Sequence, residues 1–385
     1  MKIGIAKERR AHELRVAVSP DTVKKLIGLG AEVAIETGAG LSAAYTDQAF
    51  VDAGAKIAPD EVAAIGDADI VLKVQRPLTS AEGGVDEMAL LKPGAMLVGI
   101  LSPYAAKDQV TEYAKRGVNA FAMEFMPRIT RAQSMDVLSS QANLAGYRAV
   151  IEAAAVFGRA FPMMMTAAGT VAPARVFVMG AGVAGLQAIA TARRLGAIVS
   201  ATDVRPASKE QVKSLGATFV AVEDEEFKQA ETAAGYAKPM SAEYQKKQAA
   251  LVAETLKKQD IVITTALIPG RPAPVLMTED MVKTMRQGSV IVDLAVEQGG
   301  NCPLSEPGKI AVKHGVSLVG FLNIPSRIAV DSSALYARNL LNFLTPLIDK
   351  ENKNLKINWD DEIVKGTALT RDGKVVHPAL TQGAA

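Results

Sequence analysis

The chain has 385 residues, enough for roughly two domains at ~150 residues each, and 49% of them are hydrophobic. The 43 basic residues against 41 acidic ones give a net charge of +2 without a basic tract, which argues against nucleic-acid binding. One cysteine excludes an intrachain disulfide, three histidines offer too few ligands to predict a metal site, and no apolar run reaches the ~18 residues of a membrane span. The N-terminal MKIGIAKERR becomes charged too early for a signal peptide, so we expect a cytoplasmic protein that does not itself insert into a membrane.

Short apolar runs alternate with helical patterns along most of the chain. The first series predicts strands at 3–6, 32–36, 69–74, 95–101 and 118–123, with helices at 20–30, 60–66 and 107–117. The second series predicts strands at 175–179, 197–202, 218–222, 260–265, 289–295 and 317–321. This alternation is typical of βαβ units. We therefore predict two doubly wound α/β domains with parallel sheets and a cleft between them.

A long helical pattern at 134–161 separates the two series and predicts an interdomain helix, and a second one follows at 332–344. The dipeptide Asp372-Gly373 then lies between apolar runs, which predicts a hairpin. We expect this tail to return to the first domain. The predicted domains are therefore residues 1–137 plus 328–385, and residues 138–327.

A glycine-rich turn, Gly180-Ala-Gly182-Val-Ala-Gly185, lies between a predicted strand and a helical pattern at 183–194. In this context GxGxxG is typical of a dinucleotide site, where the glycines allow a tight turn, approach of a pyrophosphate, and helix–strand packing. Asp203 follows 23 positions after Gly180, near the spacing of the acid that binds a ribose 2′-hydroxyl. This favours NAD(H) over NADP(H), although Arg205 could accept a 2′-phosphate. A glycine turn without a ligand explains fewer of these features, and the first series contains no such turn.

Four polar residues, Gln133, Asp136, Ser139 and Asn143, are spaced to share one face of the predicted interdomain helix. Such a stripe would border the cleft where a nicotinamide would lie. An alternative is that Thr130 and Gln133 form a capping box, with Asp136 favoured near the helix start by the helix dipole. The spacing leaves both interpretations open.

The segment 223–248 is dominated by Glu, Lys, Gln, Ala and Gly. It could be a solvated loop that runs into a helix. The functional alternative is a lid over a ligand, with Tyr236 as the aromatic residue at a hinge formed by Gly235.

Several motifs together resemble one family along the whole chain. They are RAQSMDVLSSQANLAGYRAV at 131–150, PMMMTAAGTVAPARV at 162–176, GAGVAG at 180–185, ATDVR at 201–205 and EQGGNCPLSEPGKI at 297–310. They are similar to the NAD(H)-binding domain I, or alpha subunit, of the proton-translocating NAD(P) transhydrogenases, a superfamily that includes alanine dehydrogenase. The resemblance implies a homodimer of chains with two Rossmann-like domains, in which the C-terminal tail completes the first and the second binds NAD(H).

The resemblance also implies roles for single residues. The polar group around the nicotinamide and its ribose would be Arg128, Gln133, Asp136 and Ser139. The remaining cofactor-binding residues would be Gly180, Ala181, Gly182, Val183, Gly185, Asp203, Val204, Arg205, Tyr236, Ala266 and Leu267. The implied activity is that of an oxidoreductase and translocase. NADH bound here would transfer a hydride directly to NADP⁺ on a partner subunit, coupled to proton passage through a membrane-spanning partner. The chain would be peripheral on the cytoplasmic side of the inner membrane.

Two other functions remain open at this point. An amino-acid dehydrogenase of the alanine dehydrogenase type needs a carboxylate clamp and an acid–base group. Arg15 and Lys73 stand where that family holds substrate, or else are relics or surface charges. However, residues 92–123, where that family has its catalytic histidine, contain none, and Glu297 stands in place of an aspartate. The third candidate is a non-catalytic NAD(H)-sensing module.

Overall fold

The structure is a computed structural model that describes residues 1–82, 86–230, 240–268 and 270–381. By its internal contacts the chain divides into two compact units. Unit 1 consists of Met1–Gln141 and Ser326–Ala385, and unit 2 consists of Ala142–Pro325. Each unit is built on one large, mainly parallel sheet, which confirms the predicted α/β class.

Unit 1 contains a six-stranded parallel sheet in the order β3-β2-β1-β4-β5-β6. Its strands are β1 (Lys2–Ile5), β2 (Glu32–Glu36), β3 (Lys56–Ala58), β4 (Ile70–Gln75), β5 (Met96–Ile100) and β6 (Asn119–Ala122). The helices among them are α1 (Pro20–Gly28), α2 (Asp47–Asp52), α3 (Glu61–Ile65) and α4 (Lys107–Lys115). The strand order reverses between β1 and β4, as in doubly wound folds. The sequence pattern does not predict β3, because its three residues include a single large apolar side chain.

The helix predicted over 134–161 is shorter at both ends. Residues Thr130–Met135 form a 3-10 helix, and α5 extends over Val137–Val156. Between them Asp136 is extended, with φ −74° and ψ 96°. Its Oδ1 accepts a hydrogen bond from the backbone N of Ser139 at 2.9 Å, the contact of an N-cap residue. The division between the two units falls within α5.

Unit 2 contains a hairpin and a seven-stranded sheet. The hairpin pairs β7 (Met164–Thr166) with β8 (Gly169–Val171). The sheet has the order β11-β10-β9-β12-β13-β15-β14 and consists of β9 (Arg175–Met179), β10 (Ile198–Thr202), β11 (Thr218–Phe219), β12 (Ile261–Thr264), β13 (Val290–Asp293), β14 (Ile310–Lys313) and β15 (Val316–Val319). The edge strand β14 pairs antiparallel with β15 through a turn in which His314 and Gly315 both have positive φ. The second sheet is therefore not purely parallel, in contrast to the expectation from the strand pattern.

The helices of unit 2 after α5 are α6 (Val183–Arg194), α7 (Ser208–Ser214), α8 (Glu225–Lys228), α9 (Ala242–Leu256) and α10 (Glu279–Lys283). The strand order of this sheet reverses between β9 and β12. In open α/β sheets, ligands bind outside the carboxyl ends of the strands at such a reversal. The fold therefore directs attention to the residues that follow Met179 and Thr264.

The chain returns to unit 1 with α11 (Ala329–Leu344). The tail then forms β16 (Ile348–Asp349), β17 (Asn354–Leu355), α12 (Glu362–Thr367), β18 (Thr370–Arg371), β19 (Lys374–Val375) and α13 (Pro378–Thr381). The predicted hairpin is confirmed, since β18 pairs antiparallel with β19 through Asp372 and Gly373. The tail contacts β6 through a hydrogen bond from the N of Leu369 to the O of Ala120 at 2.8 Å. In the part of the chain that is described, we find no helix long and apolar enough to span a bilayer.

Candidate functional site

The glycine turn joins the carboxyl end of β9 to the start of α6. Gly180 has φ +103°, a region that favours glycine. A Cβ on Gly185 would lie 1.8 Å from the O of Gly180, so the third glycine is needed for α6 to pack against the turn. A Cβ on Gly182 would meet no described atom within 4 Å, so this residue faces open space.

Gly182 is also the N-cap of α6, and no side chain caps this helix end. The first turn of α6 is uncharged, and its backbone N–H groups carry the positive end of the helix dipole. Such a helix end binds phosphate groups. The side chains of Val183, Val204 and Leu267 are 40–50% exposed and offer apolar surface in the segments that follow β9, β10 and β12. The turn can therefore hold a diphosphate with apolar groups attached.

Asp203 follows β10 and is bound to the turn. Its Oδ2 accepts a hydrogen bond from the N of Ala181 at 2.7 Å, and its Oδ1 accepts one from the N of Arg205 at 2.8 Å. The Arg205 side chain also donates to both oxygens, at 2.9 and 3.0 Å. Burial raises the pKa of the Asp203 carboxyl, but the hydrogen bonds and charge of Arg205 outweigh it and hold the pKa below its ordinary value. Asp203 is therefore an anion whose oxygens are already engaged.

The residues after β12 contact the same turn. The Oγ1 of Thr265 donates to the O of Gly180 at 3.0 Å, and its backbone N donates to the O of Met179 at 2.9 Å. Ala266 follows directly, and its N and O both bind the side chain of Asn301, at 3.1 and 2.9 Å. The sequence analysis predicted Ala266 but did not single out Thr265 or Asn301. The available signal was the position of Asn301 within the motif at 297–310.

The predicted polar stripe does not lie on one helix, which corrects the expectation. Gln133 is in the 3-10 helix and Asp136 precedes α5, so only Ser139 and Asn143 belong to α5. The capping box is also wrong, because the 3-10 helix begins after Ile129 and has no side-chain cap. Asp136 instead accepts hydrogen bonds from the backbone N and the hydroxyl of Ser139, which confirms the interpretation that it stabilises the helix start.

The four residues of the predicted nicotinamide group differ in their surroundings. Gln133 and Arg128 are both exposed. Asp136 and Ser139 are half-buried and contact each other at the start of α5. A role for these four residues at a ligand stays a prediction.

The segment predicted as a lid is only partly described, and Tyr236 lies outside the described residues. Of the rest, α9 is anchored rather than loose. The Nε2 of Gln248 donates to the Oγ1 of Thr202 at 3.0 Å, and its Oε1 accepts from the N of Val222 at 2.9 Å. The buried Tyr244 donates to the O of Val222 at 3.1 Å. These contacts hold α9 to the carboxyl ends of β10 and β11.

Arg15 and Lys73 are buried in unit 1, so they are not surface charges. Arg15 forms a bidentate pair with Glu13, and its Nη1 donates to the Oε1 of Gln141 at 2.8 Å. Lys73 pairs with Glu87 at 2.9 Å and with Glu8 at 3.4 Å. Burial alone would lower the pKa of the Lys73 ammonium, but the charges of Glu8 and Glu87 raise it. Both cations are thus held by internal carboxylates.

Comparison with known proteins agrees with this architecture. The family models of the N-terminal and C-terminal domains of alanine dehydrogenase/PNT match residues 4–145 and 149–378. The chain is 64% identical over 385 residues to the first of the alpha-subunit chains of the NAD(P) transhydrogenase of Rhodospirillum rubrum, covering 100% of both chains. It is 30% identical over 390 residues to the alanine dehydrogenase of Halomonas elongata, covering 99% of this chain and 96% of the relative.

A solved structure of the transhydrogenase from Sinorhizobium meliloti is 55% identical in sequence. It superimposes with a TM-score of 0.88, covering 98% of this chain and 100% of the other. These matches confirm the resemblance inferred from the sequence motifs. Because both family models match and together cover nearly the whole chain, the protein belongs to the alanine dehydrogenase/PNT family.

Proposed function

We propose that the chain is the NAD(H)-binding subunit of a proton-translocating NAD(P) transhydrogenase. The observation that carries the proposal is the glycine turn of unit 2, where Gly182 faces open space at the uncapped start of α6. This turn suits the diphosphate of a dinucleotide. The 64% identity with a transhydrogenase alpha subunit over the whole chain supports the choice of activity.

The preference for NAD(H) follows from Asp203. Its carboxylate lies at the end of β10, beside the turn, where an acid binds the ribose hydroxyls of NAD and repels a 2′-phosphate. Because Arg205 now donates to both oxygens, a ribose hydroxyl would compete with this arginine or bind after it turns away. Val204, Ala266 and Leu267 would line the site as further cofactor-binding residues.

Bound NADH would supply a hydride to the nicotinamide of NADP⁺ on a partner subunit, a transfer in which no O–H or N–H bond forms or breaks. The chain therefore needs positioning groups rather than an acid–base residue. Arg128 and Gln133 are exposed polar side chains that could orient the nicotinamide ribose. Asp136 and Ser139 would support them by fixing the start of α5. Tyr236 would close on the bound nucleotide.

The proposed assembly is a homodimer that docks on an NADP(H)-binding domain and a membrane-spanning subunit. Hydride transfer would be coupled to proton translocation through that partner. The chain would then be peripheral on the cytoplasmic side of the inner membrane. The names of its relatives, which describe an alpha subunit, support the existence of further subunits.

The test begins with the purified chain and NADH, with NADPH as the matched control ligand. We expect NADH to bind more tightly. Addition of an NADP(H)-binding partner should then permit hydride transfer between the two nucleotides. Equal affinity for NADH and NADPH would contradict the cofactor assignment, and NADH binding without transfer would favour an NAD(H)-sensing module.

An alanine dehydrogenase is the second candidate, because the chain is 30% identical to one and buries Arg15 and Lys73. Residues 92–123 contain no histidine that could exchange a proton with an amine or carbonyl. We therefore expect no oxidation of NADH with pyruvate and ammonia. Turnover of these substrates without a partner protein would make this candidate the better one.

A further inference from the structure

Asn301 is fully buried in unit 2 and lies in the segment that follows the 3-10 helix Val296–Gln298. Its amide uses every hydrogen-bonding group. The Oδ1 accepts from the N of Ala266 at 3.1 Å, while the Nδ2 donates to the O of Ala266 at 2.9 Å and to the O of Pro274 at 2.8 Å. One side chain therefore joins both ends of the loop that follows β12.

The backbone of Asn301 is equally engaged. Its O accepts hydrogen bonds from the N of Leu276 at 2.9 Å and the N of Met277 at 3.1 Å. Its N donates at 3.1 Å to the Oδ1 of Asp293, which is 1% exposed and ends β13. Asp293 also accepts from the N of Cys302 at 3.1 Å, so the segment that carries Asn301 is fixed to the sheet.

The loop held in this way lies beside the glycine turn. Thr265, the residue before Ala266, donates to the O of Gly180, and a Cβ on Gly180 would be 3.5 Å from the N of Ala266. β9 and β12 flank the reversal of strand order, so their following residues form the two walls of the expected ligand crevice. Leu267, which follows Ala266, is 47% exposed on the β12 side.

We propose that Asn301 is a positioning residue of the nucleotide site, which sets the place of Ala266 and Leu267 relative to the glycine turn. The inference rests on the proposed NAD(H) site in unit 2. A merely structural role would require only that the unit be stable. A positioning role requires in addition that nucleotide affinity depend on Asn301 beyond its effect on stability.

The test compares Asn301→Ala with Val316→Ala. Val316 is fully buried in the same unit and begins β15, so it lies at the opposite end of the parallel strands from the crevice. Both variants should lower the melting temperature of the full-length protein. We expect only Asn301→Ala to weaken NADH binding, by about 10-fold or more, which corresponds to at least about 1.4 kcal/mol.

Asn301→Asp provides a second measurement that keeps the side-chain volume. Its carboxylate would face the O of Ala266 and the O of Pro274, whereas its protonated form could donate to one of them. We expect its NADH affinity, relative to the parent at the same pH, to recover as the pH is lowered from about 8 to about 5.5.

The outcomes separate the two proposals. Affinity in Asn301→Ala within twofold of the parent, or a loss that Val316→Ala reproduces at equal melting temperature, would overturn the positioning role. A pH-independent Asn301→Asp variant with parental affinity would do the same. If the parent itself does not bind NADH, the proposed function fails instead.

Discussion

The guanidinium of Arg205 lies against the carboxylate of Asp203, with its Nε 2.9 Å from Oδ1 and its Nη2 3.0 Å from Oδ2. The same carboxylate accepts the N of Ala181 in the glycine turn. Charge-assisted pairs of this geometry are stronger than neutral hydrogen bonds. The arginine therefore both stabilises the anion and competes for it with any ribose hydroxyl.

The first prediction separates these two roles. Asp203→Ala should weaken NADH binding about 10-fold or more and reduce the preference over NADPH, because the carboxylate that holds ribose hydroxyls and repels phosphate is gone. Residual NADPH binding in this variant should then depend on Arg205. The measurement is the affinity for both nucleotides in Asp203→Ala and in the double variant with Arg205→Ala. An unchanged NADH to NADPH ratio in Asp203→Ala would contradict the assignment.

The second prediction uses two glycines of one turn. Gly182→Ala should keep the melting temperature close to that of the parent, because its Cβ meets no described atom within 4 Å, but it should weaken NADH binding by blocking close approach of the pyrophosphate. Gly185→Ala should instead destabilise the protein by about 1–3 kcal/mol, because its Cβ would lie 1.8 Å from the O of Gly180. Calorimetry and NADH titration on both variants check this contrast. Parental NADH affinity in Gly182→Ala would argue against a diphosphate at the turn.

The third prediction concerns Gln133. Its shortening by one methylene in Gln133→Asn should leave the melting temperature and NADH affinity nearly unchanged, because the residue is exposed and caps no helix. Hydride transfer to the partner should slow by up to ~100-fold, since misplacement of the reacting rings by about 1 Å is enough for such a loss. Single-turnover transfer measures this directly. A normal transfer rate would remove Gln133 from the site.

Asp136→Ala is the matched control for that experiment. It removes the hydrogen bond to the N of Ser139 and should lower the free energy of unfolding by about 1 kcal/mol. If Gln133→Asn and Asp136→Ala destabilised the protein equally, the distinction between an exposed polar residue and a helix cap would be wrong.

The fourth prediction is a pH dependence in unit 1. Both carboxylate oxygens of Glu61 are buried without a hydrogen-bond partner among the described residues, and so is the Oε1 of Glu87. Burial and the neighbouring Glu87 raise the pKa of Glu61 to about 7, although Arg9 and Lys73 act in the opposite direction. The folded protein therefore keeps a proton that the unfolded chain releases near pH 4.5. The free energy of unfolding should fall as the pH rises from about 4.5 through about 7.

Glu61→Gln isolates this contribution, because an amide keeps the shape and the donor of the protonated acid. The variant should be more stable than the parent at pH 8, by about 2 kcal/mol, and the difference should shrink towards pH 5. Glu124, whose pKa burial also raises to about 7, remains in both proteins and serves as the common background. Parallel stability curves for the two proteins between pH 5 and 8 would show that Glu61 does not carry the proton.

The sequence by itself predicts the features that depend on neighbours along the chain. The strand–glycine–helix order at 175–194, Asp203 at the end of the next strand and the Asp372-Gly373 turn all follow from local periodicity and from backbone conformations that few residues adopt. The doubly wound class follows from the alternation of these segments.

The tertiary structure alone decides the features that depend on distant partners. Asp136 ends the predicted helix early because it caps Ser139, an outcome that helical spacing could not distinguish. Lys73 is buried because Glu8 and Glu87 approach it from other segments. Asn301 contacts Ala266 across 35 positions of sequence. No local pattern encodes such contacts, since they form only when the packed sheet brings separate strand ends together.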